Sequence, residues 1–154
     1  MLLNSWIDEN RVTVLDHVDS WEEAVRVVFR PLLRDGAVTE EYVEQVVACI
    51  AAEGPFVVIA PHIALPHVRY EEGVRETSSA FLKLNRPVNF GVSAEEPLPV
   101  ELIVGLATRG NNEHLRLLRE IVRVFECQET IEALLRAKGI EGIAAVAQGL
   151  VLGK

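Results

Sequence analysis

Three histidines and one arginine are the residues of this chain whose side chains could carry out a reaction. His62 and His67 each follow a proline, Arg69 lies two residues beyond His67, and His114 follows a run of amide and acidic residues. An imidazole with an ordinary pKa of about 6.5 can be a neutral nucleophile at cellular pH. A neighbouring guanidinium could hold the anion that it acquires. The pattern suggests a phosphohistidine site, although ordinary loop histidines would give the same spacing.

Prolines restrict the backbone on which His67 lies. The preceding residues 56–60 are apolar and rich in β-formers, which predicts a buried strand that ends at Pro61. Pro61 and Pro66 fix their own φ and favour an extended conformation in the residue before each of them. We therefore expect residues 60–67 to form a stiff, irregular connector that aims His67 in one direction.

Arg69 and His114 are the two residues that could stabilise an anion on His67. Arg69 is two positions along an extended segment and should project to the same side as His67; the alternative is a solvated charge on a loop edge. His114 is expected in the first turn of a helix, where free N–H groups and the helix dipole favour anions. Without further information it could equally be a partly exposed polar residue at a helix end.

A metal site is the other chemistry that these residues allow. His62, His67 and His114 could in principle supply three imidazole ligands. Zinc sites usually show closer paired spacings and a supporting carboxylate or thiolate, and neither can be assigned here. We therefore expect no metal and no other cofactor.

Length, composition and charge limit the class of protein. A chain of 154 residues predicts one domain, residues 1–154. No apolar run approaches the ~20 residues of a membrane span, and the opening residues lack a basic leader, so we expect a cytoplasmic protein without membrane insertion. The formal net charge of −8 leaves no basic stripe for nucleic acid. Cys49 and Cys127 are distant and lack CxxC spacing, which suggests two buried thiols.

The hydrophobic periodicity alternates between strand and helix, which by itself indicates an α/β fold. Strands are predicted at residues 11–15, 56–60, 78–84 and 100–107, with a turn-rich segment at 85–99. Helices are predicted around Trp6, after Ser20, after Thr39, after Asn111 or Asn112, and at 129–137 and 140–151.

Two of these helices carry more detailed expectations. Ser20 and Glu23 form a capping box, and Pro31 should kink that helix or leave its end as a separate turn. The helix that carries His114 is expected to have its apolar positions at Leu115, Leu118, Ile121, Val122 and Phe125.

The segment from Gly54 to Arg69 resembles the active-site segment of a known family. It reads Gly-Pro-Phe-Val-Val-Ile-Ala-Pro-His-Ile-Ala-Leu-Pro-His-Val-Arg, and it is similar to that of the fructose/mannitol-type enzyme IIA phosphocarriers of the bacterial sugar phosphotransferase system. It is most similar to the ascorbate-type branch, in which an Ala-Pro-Gly-(Ile/Leu)-Ala-(Met/Leu)-Pro-His-x-Arg pattern carries the phosphorylated histidine. That histidine falls on His67, and the arginine of the pattern falls on Arg69.

The resemblance extends over most of the chain. Residues 72–74 resemble the family's Glu-x-Gly-Val turn, and residues 82–90 resemble its Leu-x-x-Pro-Val-x-Phe segment. The second active-site histidine of the family falls on His114. One residue departs from the pattern, because His62 stands where the family more often has glycine.

The resemblance implies an architecture and a function. The architecture is a single mixed β-sheet of about five strands flanked by helices on both faces. The function is a phosphotransferase relay: His67 would accept a phosphoryl group on Nε2 from HPr and pass it to an enzyme IIB component of a carbohydrate permease, with His114 and Arg69 stabilising the charge. A regulatory relative of enzyme IIA and a hydrolytic histidine metal site remain as alternatives. The sugar and the oligomeric state are not given by the sequence.

Overall fold

The computed structural model describes residues 2–91 and 95–152 of the chain. The strands of the described part are β1 (Val12–Leu15), β2 (Val58–Ala60), β3 (His62–Ala64), β4 (Ser78–Asn89) and β5 (Pro99–Ala107). The helices of the same part are α1 (Leu2–Asp8), α2 (Trp21–Arg34), α3 (Glu40–Glu53), α4 (Asn111–Phe125), α5 (Gln128–Arg136) and α6 (Gly139–Leu152), together with a 3-10 turn at Glu71–Gly73.

The strands of the described residues form one mixed sheet in the order β1-β4-β5-β3-β2. β1 pairs with β4, and β3 with β5, in parallel, whereas β4 with β5 and β2 with β3 are antiparallel. Parallel pairs need crossovers: α2 and α3 lie in the connection from β1 to β4, whereas the connection from β3 to β5 runs through the 3-10 turn and β4. The predicted five-stranded mixed sheet is confirmed.

Helices cover both faces of this sheet, as expected. Alternate residues of β4 separate the two cores, because Leu82 and Leu84 face α2 and α3 whereas Phe81 faces α1 and α4. The second face also receives α5 and α6 through Leu134, Ile143 and Ala147. Among the described helices, none combines the length and the apolar character that crossing a bilayer requires.

The predicted helix starts are largely confirmed. Ser20 caps α2 by accepting a hydrogen bond from the backbone N–H of Glu23, and Thr39 caps α3 in the same way. In the capping box at Ser20, the Glu23 carboxylate accepts a hydrogen bond from the N–H of Asp19, at 2.7 Å, rather than from that of Ser20 itself. α2 runs without interruption through Pro31 to Arg34, so the separate last turn was wrong.

Two strand predictions were wrong around the histidine segment. The strand at 56–60 is shorter and lies at the sheet edge as β2, with Ile59 52% exposed. The expected irregular connector contains β3, which turns back on β2 and pairs with β5. β4 also continues to Asn89, so the first part of the turn-rich segment is strand; residues 92–94 of that segment lie outside the described residues.

The buried face of α4 and the environment of the cysteines also differ from the predictions. α4 buries Leu117, Ile121 and Val124, whereas Leu115 and Val122 are exposed. Of the predicted positions, Ile121 is confirmed, and Leu118 and Phe125 are partly buried against the core. The apolar residues of this helix outnumber what one face can hold, so periodicity alone was wrong for the other two. Cys127 is exposed and Cys49 is partly exposed, and both are free thiols.

Candidate functional site

Three chain segments meet at one edge of the sheet and bring the predicted site residues together. β3 and β5 are parallel neighbours, so the residues that follow them, including His67 and His114, leave the sheet at the same end. β4 begins there as well, because Ser78 pairs with Ala107 at the end of β5. The rings of His67 and His114 lie with their centroids 5.7 Å apart.

His67 is held in one tautomer by its own backbone. Its Nδ1 lies 2.5 Å from the carbonyl oxygen of Leu65. A carbonyl can only accept a hydrogen bond, so Nδ1 must carry the ring proton in the neutral imidazole. Nε2 then has the free lone pair, which makes Nε2 the nucleophilic atom.

The backbone around His67 is tied to neighbouring segments on both sides. The Leu65 N–H donates to the Val57 carbonyl at 2.8 Å, and the Leu106 N–H of β5 donates to the Pro66 carbonyl at 3.2 Å. The ring of Phe56 stands edge-on to the His67 ring at a centroid distance of 6.0 Å. These contacts fix both the loop and the direction of the imidazole.

His114 lies in the first turn of α4, as predicted, and is partly buried. Its Nδ1 is 3.2 Å from the hydroxyl oxygen of Thr108, at the end of β5. Burial lowers the pKa of His114 below the ordinary value of 6.5, and the positive charge that His67 carries when protonated and the charge of Arg69 lower that pKa further. At neutral pH the ring is therefore uncharged.

Arg69 joins the His67 loop to the start of α4. Its guanidinium donates to the side-chain carbonyl of Asn111, the first residue of that helix. The prediction that Asn111 or Asn112 caps α4 was wrong, because the N-cap is Gly110 and makes no side-chain cap bond. Asn111 instead fixes the arginine, and the positive end of the helix dipole lies beside the two histidines.

A second set of hydrogen bonds holds the start of α4 against β4. The Thr77 hydroxyl donates to the carboxylate of Glu113, the residue before His114, and accepts from the backbone N–H of Arg109 at 3.0 Å. The Arg109 guanidinium donates in turn to the carbonyl of Val74. The residues before His114 are thereby fixed to the segment that leads into β4, and this positions His114.

His62 has different neighbours from His67 and His114. Its backbone has φ of +74°, the left-handed region that favours glycine, and its Nδ1 lies 2.7 Å from a carboxylate oxygen of Glu101 on β5. The glycine that the family more often has at this position therefore has a conformational reason. Within residues 2–91 and 95–152, the histidines, cysteines and acidic side chains form no group of three placed to hold a metal ion.

The structure brings the predicted His67, His114 and Arg69 together, and sequence reasoning missed the residues that orient them. Leu65 acts through its carbonyl, Thr108 through its hydroxyl and Asn111 through its amide oxygen. Every residue has a backbone carbonyl, so the residue type of Leu65 gives no sign of this role. Asn111 did carry a signal, since asparagine is favoured at helix starts, but its partner lies 42 positions away.

Comparison with known families assigns residues 5–148 to one family model. That model describes the phosphoenolpyruvate-dependent sugar phosphotransferase system, EIIA 2. Among curated proteins, the chain is 29% identical over 136 residues to the ascorbate-specific PTS system EIIA component of Escherichia coli K12, a match covering 87% of each chain. The mannitol-specific cryptic phosphotransferase enzyme IIA component of the same strain is 25% identical over 146 residues, covering 95% of this chain and 97% of the relative.

Solved structures agree with these matches. The solution structure of the mannitol-specific cryptic enzyme IIA from Escherichia coli superposes with a TM-score of 0.84 at 25% identity, covering 95% of this chain and 97% of the other. The match over nearly the full length confirms the arrangement of the sheet and its flanking helices.

The lowered pKa of His114 can be tested by titration. We expect its midpoint, followed by NMR of the ring, to lie below 6.5 in the parent protein. Arg69→Gln should raise that midpoint, because it removes one of the positive charges that disfavour a charged His114. Arg86→Gln is the matched control, since Arg86 is paired with Asp16 and is not among the causes of the shift. An unchanged midpoint in Arg69→Gln would contradict the arrangement.

The backbone at His62 predicts an unusual order of stability between two variants. His62→Ala and His62→Gly both lose the contact with Glu101, but only alanine retains a Cβ at φ of +74°. His62→Ala should therefore be less stable than His62→Gly by about 1 kcal/mol, the lower end of the left-handed penalty. Urea unfolding of the two variants measures the difference, and equal stabilities would show that the left-handed conformation is not maintained.

Proposed function

The chain belongs to the EIIA 2 family of the phosphoenolpyruvate-dependent sugar phosphotransferase system, and we propose that it is a phosphocarrier that uses His67 as its phosphoryl acceptor. The phosphoryl group would come from phosphorylated HPr and pass to an enzyme IIB component of a carbohydrate permease. The observation that carries the proposal is the hydrogen bond of His67 Nδ1 to the Leu65 carbonyl, which leaves Nε2 as the nucleophile.

The proposed step exchanges one phosphorus–nitrogen bond for another. The lone pair on Nε2 of His67 attacks the phosphorus carried by the donor histidine, and the bond from phosphorus to that histidine breaks as the new one forms. The proton on Nδ1 stays in its hydrogen bond to Leu65, so the phosphorylated ring carries a positive charge. A charged imidazole is a good leaving group, which favours the onward transfer to enzyme IIB.

His114 and Arg69 supply charge stabilisation in this proposal. Phosphoryl transfer requires positioning and neutralisation of the phosphoryl oxygens more than proton transfer. His114 is held at Nδ1 by Thr108, so its Nε2 can donate a hydrogen bond when it carries the proton. Arg69 is fixed by Asn111 and adds a full positive charge beside the start of α4. The step as written needs neither a metal ion nor a nucleotide.

The proposed cargo is ascorbate or a similar carbohydrate. This choice is supported by relatives that are named ascorbate-specific PTS components and are 29% identical to this chain, and by the Leu-Pro-His-x-Arg sequence from Leu65 to Arg69. We propose that residues 1–154 act as one domain in the cytoplasm, and that the chain reaches the membrane by docking on its permease.

The central test is loss of the acceptor. His67→Ala should abolish labelling from phosphoenolpyruvate in the presence of enzyme I and HPr, because the attacking nitrogen is gone. His62→Gly is the matched control and should label within a few-fold of the parent, since that histidine faces Glu101 instead. The label should be lost in acid and survive alkali, as a phosphoramidate does. Undiminished labelling of His67→Ala would refute the proposed acceptor.

A second test separates the role of His114 from that of His67. His114→Ala should still accept phosphate but pass it on more slowly, by one to two decades, because a hydrogen bond to a charged group contributes roughly 1.5–3 kcal/mol when made in the transition state. His17→Ala, which alters an exposed histidine paired with Asp16, is the control. Acceptance from HPr and donation to enzyme IIB are measured separately, and parent rates in both directions would make His114 a structural residue.

A further inference from the structure

A buried tyrosine connects the His67 loop with β5. The hydroxyl of Tyr42, on α3, lies 2.8 Å from the carbonyl oxygen of Leu106 on β5 and 3.3 Å from the backbone nitrogen of Val68. The Val68 carbonyl lies 3.3 Å from the same hydroxyl. A hydroxyl has one proton, so it donates along the shorter contact to Leu106 and accepts from the Val68 N–H.

The position of Val68 gives this hydroxyl its significance. Val68 lies between His67 and Arg69, so its N–H belongs to the peptide that directly follows the histidine. Leu106 is already bound to the same loop through its own N–H, which donates to the Pro66 carbonyl. The peptides on both sides of His67 are thus hydrogen-bonded to one residue of β5. Leu106 binds the Pro66 carbonyl directly, and the Tyr42 hydroxyl links Leu106 to the Val68 N–H.

The surroundings of Tyr42 hold its ring rigidly. Tyr42 is fully buried and meets Phe29 of α2 edge-on at 5.7 Å. A Cβ at Gly73 would come within 2.8 Å of the Tyr42 Cβ, so the small residue of the Glu-Glu-Gly turn permits this close approach. Burial raises the pKa of Tyr42 to about 12, so the hydroxyl keeps its proton throughout the physiological range.

We propose that Tyr42 is a positioning residue for phosphoryl transfer, which holds the Val68 peptide against β5 and thereby sets the direction of His67 and the place of Arg69. The inference rests on the proposed role of His67 as acceptor. Tyr42 touches neither the phosphoryl group nor a partner surface, because its side chain is buried beneath the loop. Small displacements of a reacting atom are costly in rate, and this hydroxyl is placed to prevent them.

The experiment removes the hydroxyl and keeps the ring. In Tyr42→Phe, the rate of phosphoryl acceptance at saturating phosphorylated HPr should fall about tenfold, and the half-saturating HPr concentration should not change. The Val68 amide should exchange with solvent faster, and 15N NMR should show a smaller fraction of the His67 tautomer protonated on Nδ1. All rates are measured well below the unfolding temperature of the variant.

Tyr70→Phe is the matched control because it removes the other tyrosine hydroxyl near the same loop. The Tyr70 hydroxyl donates to the carboxylate of Glu41 on the surface, away from the Val68 peptide. It should leave the transfer rate, the Val68 amide and the His67 tautomer unchanged. A Tyr42→Phe protein with a lower unfolding temperature but the parent rate and tautomer would overturn the proposal.

Two further outcomes keep this inference separate from the proposed function. In the first, His67→Ala is still labelled and Tyr42→Phe shifts the His67 tautomer. His67 is then not the acceptor, and Tyr42 orients the loop without a role in phosphoryl transfer, which overturns the inference. In the second, Tyr42→Phe does not fold, and hydrogen exchange of the Val68 amide is measured in the parent protein. Exchange as rapid as that of an exposed loop residue would overturn the inference, and strong protection of this amide would support it.

Discussion

The Nδ1 nitrogen of His67 lies 2.5 Å from a backbone carbonyl oxygen, and the chemistry of the site depends on that hydrogen bond. Because the carbonyl belongs to Leu65, two residues earlier, the tautomer is fixed by the shape of the loop and needs no other side chain. The loop must therefore be rigid. Pro66 restricts it from within, and bonds to Val57 and Leu106 hold it to the turn before β2 and to β5.

The sheet order explains why residues far apart in sequence share one site. β3 and β5 are parallel and adjacent, so His67 and the segment leading to His114 leave the sheet at one end. A strand inserted between them would have separated the histidines by about 5 Å more. The same edge collects positive groups on a chain with a net charge of −8, since Arg69 is anchored to the start of α4 and the helix dipole adds to it. An anion is favoured here although the chain as a whole repels it.

Local sequence signals predicted the elements better than their environments. The caps at Ser20 and Thr39 were readable because each bond closes within three residues. β3 was not readable, because its three residues lie between two prolines and their pairing with β5 is a long-range contact. The exposed Leu115 and Val122 were missed for a similar reason: α4 has more apolar residues than one buried face requires, and only the packed sheet selects among them.

The sequence by itself determined the α/β class, most of the helix starts, and the identity of the candidate reactive residues, His67, Arg69 and His114. These follow from residue chemistry, from patterns of a few residues, and from a motif that resembles a known family. Only the tertiary structure decided which group holds the Nδ1 proton of His67, what fixes Arg69, and that His62 turns to Glu101. The physical reason is that each of these depends on a backbone carbonyl, a left-handed φ or a partner about 40 positions away, and such features are set by how the strands pair.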